Sequence, residues 1–311
     1  MKKTIFDERP VLMTTENATP TARYRSVFRP GLFAGRVVVV TGGGSGIGRC
    51  TAHELSALGA HIALVGRKAD KLAQVEAEIA GAGGTVASWT VDIRQEAPVA
   101  EMITAILARF GRIDGLVNNA GGQFASPIEK ISANGFDAVV RTNLLGGFLM
   151  ARECYTQWMA ANGGAIVNMV ADMWNGMPGM AHSGAARAGM VNLTETAAFE
   201  WAPANVRVNA VAPGIIASSG MDSYPPERRD HIRSRGKRVP LGRFGTESEV
   251  SAAIVFLLSD AASFITGTTL RIDGGTPNVR PSMILEPRAN ETVAPAFNGF
   301  HLAEMPKVLQ D

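Results

Sequence analysis

The sequence is short of several things that would have pointed elsewhere. It has only two cysteines, Cys50 and Cys154, in 311 residues. Two cannot build a disulfide framework, so a reducing compartment and a cytoplasmic location are expected. No uncharged apolar run reaches the ~18 residues that a membrane-spanning helix needs. Residues 1–31 hold no long apolar stretch either, so no secretory leader is expected. Neither sign of charge is in excess: 30 Lys and Arg stand against 28 Asp and Glu, a formal net charge of +2. That balance gives no reason to expect a nucleic-acid or membrane partner. No metal site is read from the sequence. Tyrosine is scarce too, with Tyr24, Tyr155 and Tyr224 the whole complement.

What is abundant is glycine, 34 residues, within a chain that is 46% apolar and 19% charged. Such a composition suits a well-buried α/β core and excludes a disordered or fibrous chain. Short apolar, β-branched runs recur at Val37–Thr41, Ile62–Val65, Val86–Val91, Ile113–Asn118, Ile166–Val170, Val206–Val211 and Thr269–Ile272. Helical patterns fill the gaps near 47–58, 69–80, 97–109, 136–160, 183–201 and 247–258. Alternation of this kind requires right-handed crossovers and a parallel sheet covered on both faces. Strands apolar throughout, rather than alternating, support that burial. The expectation is a single-domain, doubly wound α/β fold of about seven parallel strands. It would occupy residues 31–275, with irregular arms at 1–30 and 276–311. Those arms are either loose or docked on a neighbouring subunit.

The string Thr41-Gly42-Gly43-Gly44-Ser45-Gly46-Ile47-Gly48 lies between the first strand and the first helix. Glycines there let backbone approach a pyrophosphate, and the helix N-terminus supplies N–H donors. After the second strand, where Asp or Glu would hold a ribose 2′-hydroxyl, the chain has Gly66-Arg67-Lys68. Two cations at this place favour NADP(H) over NAD(H), because guanidinium and ammonium groups pair with a 2′-phosphate. Asp92, ending the third strand, either meets the adenine amino group or caps a turn.

Several residues together resemble the short-chain dehydrogenase/reductases. They are the Thr-Gly-x-x-x-Gly-x-Gly spacing at 41–48, Asn118-Asn119-Ala120-Gly121, Asn143, Pro213-Gly214 and Asp273-Gly274-Gly275. The resemblance runs over about residues 32–275. It implies a Rossmann-type seven-stranded sheet, a nicotinamide cofactor and a homodimer or homotetramer. By it, Gly42, Ser45, Gly46, Ile47 and Gly48 hold the pyrophosphate. Asp92, Ile93, Asn119, Ala120 and Gly121 line the adenosine side, and Pro213, Gly214 and Ile216 face the nicotinamide.

At the catalytic positions the chain departs from that pattern. The family's serine, tyrosine and lysine align with Val170, Ser183 and Arg187, and only Asn143 of the usual set survives. A serine hydroxyl is a poor substitute for a tyrosine as proton donor, and an arginine stays protonated. Arg187 can still hold the nicotinamide ribose and supply positive charge. Ser183 and Arg187, spaced i and i+4, share a helix face. Reducing an enoyl thioester asks for less than reducing a ketone. Its main requirement is a set of donors for the enolate oxygen.

Accordingly, Gly121-Gly122-Gln123-Phe124 and His182-Ser183-Gly184-Ala185-Ala186-Arg187 resemble the peroxisomal trans-2-enoyl-CoA reductases. They equally resemble bacterial dehydrogenases of acyclic terpene (citronellol) catabolism. The displaced tyrosine of the related 2,4-dienoyl-CoA reductases falls on Asp172, and a further tyrosine of the peroxisomal enzymes falls on Val191. Asp172 could act as an acid if burial raises its pKa.

Pro226 to Arg243 is strongly basic and reads either as a handle for a phosphate-rich substrate such as a CoA thioester or as a solvated helix face. Met173, Trp174, Met177, Met180 and Met221 could line an apolar acyl pocket. Three readings follow. The first is an NADPH-dependent enoyl-CoA-type reductase in which Asn143, Ser183 and Arg187 polarise the carbonyl. The second is a terpenoid alcohol or aldehyde dehydrogenase, with Tyr224, Asp172 or His182 as substitute acid. The third is an NADP-binding protein without turnover.

Overall fold

The computed structural model describes residues 23–223, 229–236, 238–278 and 295–310. Its core is a 7-stranded, wholly parallel sheet in the order β3-β2-β1-β4-β5-β6-β9. The strands are β1 (Val37–Thr41), β2 (His61–Gly66), β3 (Val86–Thr90), β4 (Gly115–Asn118), β5 (Gly164–Met169), β6 (Val206–Pro213) and β9 (Thr269–Ile272). Two short strands, β7 (Ile216–Ala217) and β8 (Gly245–Thr246), form a separate parallel pair.

The apolar runs predict the inner strands closely because these are buried on both faces. Every residue of β1 is buried, whereas the edge strands β3 and β9 are only part-buried. One apolar layer packs helices α1 (Gly46–Ala57), α2 (Ala69–Gly81) and α9 (Glu247–Leu258) on one face. The other packs α3 (Glu96–Phe110), α5 (Gly146–Cys154) and the end of α7 (Ala181–Glu200) on the opposite face. Thr246 and Glu249 close a reciprocal capping box at the start of α9.

The helix expected near 136–160 differs from that expectation. It runs as α4 (Ala133–Val140), α5 and α6 (Ala160–Asn162), joined by π-helical turns at Arg141–Leu145 and Tyr155–Met159. A π-turn adds one residue per turn, which no hydrophobic periodicity reveals. The first of these turns carries Asn143, which is buried.

The described parts of both arms lie on the body of their own chain. Arg25 N–H donates to the Gly299 carbonyl (2.9 Å), and Tyr24 packs with Phe300. Gly299 and Phe300 N–H groups both donate to Ser248 Oγ (3.2 Å each). Buried Glu54 on α1 collects hydroxyls from Tyr24 (3.0 Å), Ser26 (2.7 Å) and Ser251 (2.5 Å). Burial raises its pKa, and those hydroxyls oppose the rise. These segments are therefore not loose, because both arms cover the same α1–α9 surface and hydrogen-bond to it.

Candidate active site

The glycine turn is braced by the side chains of Thr41 and Asn119 rather than by a cap on α1. Thr41 Oγ1 accepts from the Asn119 and Ala120 N–H groups (3.0 Å each) and donates to Val117 O (3.2 Å). Asn119 Nδ2 donates to Thr41 O (3.0 Å). The Asn119 side chain thus ties β4 to the turn. Gly42 sits at φ 66°, a conformation that favours glycine. A Cβ on Gly48 would fall 2.4 Å from both Asn119 Nδ2 and Gly42 O. Gly48 and Asn119 therefore pack helix against strand, and neither lines the cleft. Ser45, at the N-cap of α1, makes no side-chain cap bond, and the first turn of α1 carries no acid. The opening N–H groups of α1 stay available to an anion.

A cleft of about 220 Å³ opens over this turn. Of the expected residues, Gly42, Ser45, Arg67, Lys68, Asp92, Ile93, Ala120 and Gly121 line it. Gly46 and Ile47 do not. Gly44, Lys71 and Thr142 also line it, and sequence reasoning missed them. Lys71 reads as an ordinary surface lysine of α2, so nothing in the sequence marks it. Among the described residues, Arg67, Lys68 and Lys71 have no carboxylate in ion-pair range. Asp92 is clamped by Arg94 (Nη2 to Oδ2, 2.6 Å), which holds its carboxyl below the ordinary range. A free anion-ready helix end and three unpaired cations fit a phosphorylated dinucleotide. Arg67→Asp is expected to lower NADPH affinity at least tenfold while sparing NADH, measured by titration; unchanged selectivity would contradict the assignment.

Glu247 Oε1 would lie 3.7 Å from a Cβ on Gly46. Burial first, and the charge of Glu304 in the C-terminal arm, push its carboxyl up to about 7, against the opposing effect of Arg49. A carboxyl raised on folding gives stability that is present below its unfolded pKa of about 4.5 and is lost as pH rises through about 7. Glu247→Gln should therefore flatten the fall in Tm between pH 5 and 8. An unchanged slope would show that Glu247 is not its source.

Beyond Gly121 lie the residues aligned with the usual catalytic set. Ser183 is fully buried on α7, and its hydroxyl donates to Gln123 Oε1 at 2.6 Å. Gln123 was quoted above only as part of a motif. Its signal was the Gly-Gly-Gln-Phe string in the loop after β4. Arg187 is 8% exposed, and its Nη1 donates to Met169 O. A Cβ on Gly121 would meet Arg187 Nη2 at 2.5 Å and Asn143 Oδ1 at 2.9 Å. Asn143 accepts from Gly122 N–H and donates to Gly122 O (2.9 Å each). It braces the loop carrying Gln123, so its amide is spent on backbone rather than on a carbonyl ligand.

The other expected acids fall as follows. His182 is fully buried with Phe124 edge-on at 4.4 Å; its Nδ1 faces Ser183 N–H, and its Nε2 has no partner. Asp172 keeps an unpartnered buried Oδ1. Burial and the Asp273 charge raise its pKa, against the pull of Arg271. No hydrogen bond joins Asp172 to Ser183 or Arg187. Tyr224 lies outside the described residues. Pro213 ends β6, Gly214 abuts Asp273, and Ile216 packs into the core beside Gly245.

The basic segment corrects one expectation. Its described part, α8 (Arg229–Gly236), turns Arg233 onto the Val308 carbonyl (3.1 Å), and Arg243 pairs with Glu249 (2.6 Å). These two cations hold the C-terminal arm and α9, which leaves them less free for a substrate. Met221 likewise packs with Ile232 and Val308. Residues 226–228 and 237 lie outside the described residues. No helix among the described residues is long and apolar enough to cross a membrane, and none of their His, Cys, Asp and Glu clusters suits a metal.

The chain is similar to several known proteins. A family model described as Enoyl-(Acyl carrier protein) reductase matches residues 42–277. A probable 2,4-dienoyl-CoA reductase, (2E)-enoyl-CoA-producing, of Bacillus subtilis is 38% identical over 77% of this chain and 96% of its own. A solved citronellol catabolism dehydrogenase (AtuB) of Pseudomonas aeruginosa is 58% identical, covering 81% of this chain and 99% of that one with a TM-score of 0.74. A solved NAD(P)-dependent gluconate 5-dehydrogenase assignment from Beutenbergia cavernae, with bound NADP at low occupancy, is 35% identical over 80% of this chain and 100% of its own, with a TM-score of 0.74.

Proposed function

The chain is an oxidoreductase of the short-chain dehydrogenase/reductase family, and on that premise we propose that it uses NADPH to reduce the C=C bond of a 2-enoyl thioester. The observation that carries this reading is the replacement of a tyrosine–lysine pair by the Ser183–Gln123 contact beside Arg187. Those groups donate hydrogen bonds and positive charge but have no readily released proton.

The nicotinamide, when bound, supplies hydride to the β-carbon. The residues of the chain do the rest. With Ser183 donating to Gln123 Oε1, the Gln123 amide N–H₂ is oriented as a donor for the thioester oxygen. Arg187 supplies a nearby positive charge as that oxygen becomes an enolate. The α-carbon takes its proton from solvent or from Asp172, whose raised pKa keeps more of it protonated than an ordinary aspartate. Phe124 and Trp174, 43% and 36% exposed, offer apolar surface for an acyl chain. Residues 31–275 are taken as the catalytic unit, working as a homodimer or homotetramer. Two buried free cysteines support a reducing, cytoplasmic setting.

A second reading, oxidation of an acyclic terpenoid alcohol or aldehyde, is favoured by the 58% identity to the citronellol catabolism enzyme. It would use His182, which precedes Ser183 on α7 and has an unpartnered Nε2, in the proton step. The test sets NADPH oxidation with crotonyl- or decenoyl-CoA beside NADP⁺ reduction with citronellol. Turnover of the enoyl-CoA, lost in the Ser183→Ala/Gln123→Ala double variant, supports the first reading. Citronellol turnover alone supports the second. Micromolar NADPH binding without either turnover would reject both substrates.

A further inference from the structure

Arg187 is a buried cation that no carboxylate balances among the described residues. Nη1 reaches the Met169 carbonyl and Nε has no partner. No described charged side chain is close enough to perturb it; burial alone lowers its pKa to about 10, so it stays protonated at neutral pH. Proteins seldom bury a guanidinium this way, because an unpaired charge loses its hydration and gains nothing in return. Whatever ligand sits beside it will be selected by charge.

The sheet shows which part of the ligand that is. Arg67, Lys68 and Lys71 stand where β2 runs into α2, at the start of the cleft. Arg187 hooks the end of β5 through Met169. Strands β2, β1, β4 and β5 are consecutive neighbours. Three steps of about 4.8 Å separate the two cationic ends by roughly 14 Å. Between them lie the uncapped N-terminus of α1 over β1 and Gly121 after β4. Gly121 is both a wall of the cleft and the residue whose Cβ would strike Arg187. A dinucleotide with its 2′-phosphate on the first cations and its pyrophosphate on α1 therefore brings its nicotinamide end to Arg187.

That end is the part of the cofactor whose charge changes. The oxidised ring carries a positive charge, and the reduced ring is neutral. We infer that Arg187 makes the chain discriminate between the redox forms of its cofactor, holding the dihydronicotinamide more tightly than the nicotinamide cation and so keeping the enzyme loaded with the reduced form. The discrimination acts on the ring alone. It should appear equally in the NADPH/NADP⁺ and NADH/NAD⁺ pairs, whatever the 2′-phosphate contributes. It goes beyond the enoyl-thioester reading and does not depend on it, since a terpenoid oxidoreductase with this site would show the same preference.

Equilibrium titration, by calorimetry or tryptophan fluorescence, tests it without any turnover. In the wild-type chain the reduced form of each pair should bind on the order of tenfold tighter or more, as expected for one poorly screened charge at this range. Arg187→Met should bring the ratio close to one, and Arg187→Lys should keep most of it. General damage to the site would weaken both forms together and leave the ratio alone. If Arg187→Met does not fold, Arg187→Gln serves in its place. A wild-type ratio near one would overturn the inference, as would a ratio unchanged in the neutral variants or lost in Arg187→Lys. The first of these outcomes would leave the enoyl-CoA assay untouched, so failure of the two readings is distinguishable.

Discussion

Arg187→Met is expected to lower kcat for enoyl-CoA reduction by about a hundred- to a thousandfold, the usual cost of removing one preorganised charge or donor from an oxyanion site. The same change should leave Tm equal to or above that of the wild type. The two halves of this expectation have one cause. Arg187 is buried, unbalanced by any carboxylate among the described residues and only partly hydrogen-bonded, so the folded chain is burdened by it. Met is unbranched, fills similar space and carries no charge to desolvate. A residue kept for structure would show the opposite: a lower Tm and nearly normal turnover. Rates with decenoyl-CoA and a thermal melt of the same preparation decide between them.

Gly48→Ala is expected to damage both the fold and cofactor binding. Its Cβ would lie 2.4 Å from the Gly42 carbonyl and from Asn119 Nδ2, and neither can yield cheaply. Gly42 is held by a 2.7 Å bond from its own N–H to Val65 O, and Asn119 is tied to Thr41 O. The added methyl must push α1 away from β1 and distort the turn. Overpacking of this kind costs about 1–3 kcal/mol, and the dinucleotide Kd should rise more than tenfold because the helix end no longer faces it. Gly81→Ala is the control, since a Cβ there meets nothing within 4 Å. It should change Tm little and Kd not at all. Equal effects of the two would refute the packing role of Gly48.

The contrast between these two positions shows what the sequence could reveal. Strands such as Val37–Thr41 were legible because burial on both faces demands apolar residues throughout. The phosphate turn was legible because so few backbones admit Gly42 and Gly48 in that context. The substitution of Ser183 and Arg187 for tyrosine and lysine was plain from alignment to motifs. The partners of those residues were not legible. Gln123 meets Ser183 across 60 positions of chain, a contact fixed by tertiary packing alone. Asn143 was expected to polarise a carbonyl, but a π-turn rotates it onto Gly122. Lys71 is one helix lysine among others until the fold sets it beside Gly44. The arms lacked any periodic pattern, yet Tyr24 and Phe300 are buried together because both reach the surface of α1.

The central claim is that hydride goes to carbon of a C=C bond rather than to a carbonyl carbon. Its most direct measurement is a single turnover with NADPH deuterated at the transferable position, with decenoyl-CoA as acceptor and the product read by mass spectrometry and NMR. The account predicts saturated decanoyl-CoA bearing one deuterium on the β-carbon. Unreacted decenoyl-CoA, alongside deuterium delivered to the carbinol carbon of citronellol from citronellal, would contradict it.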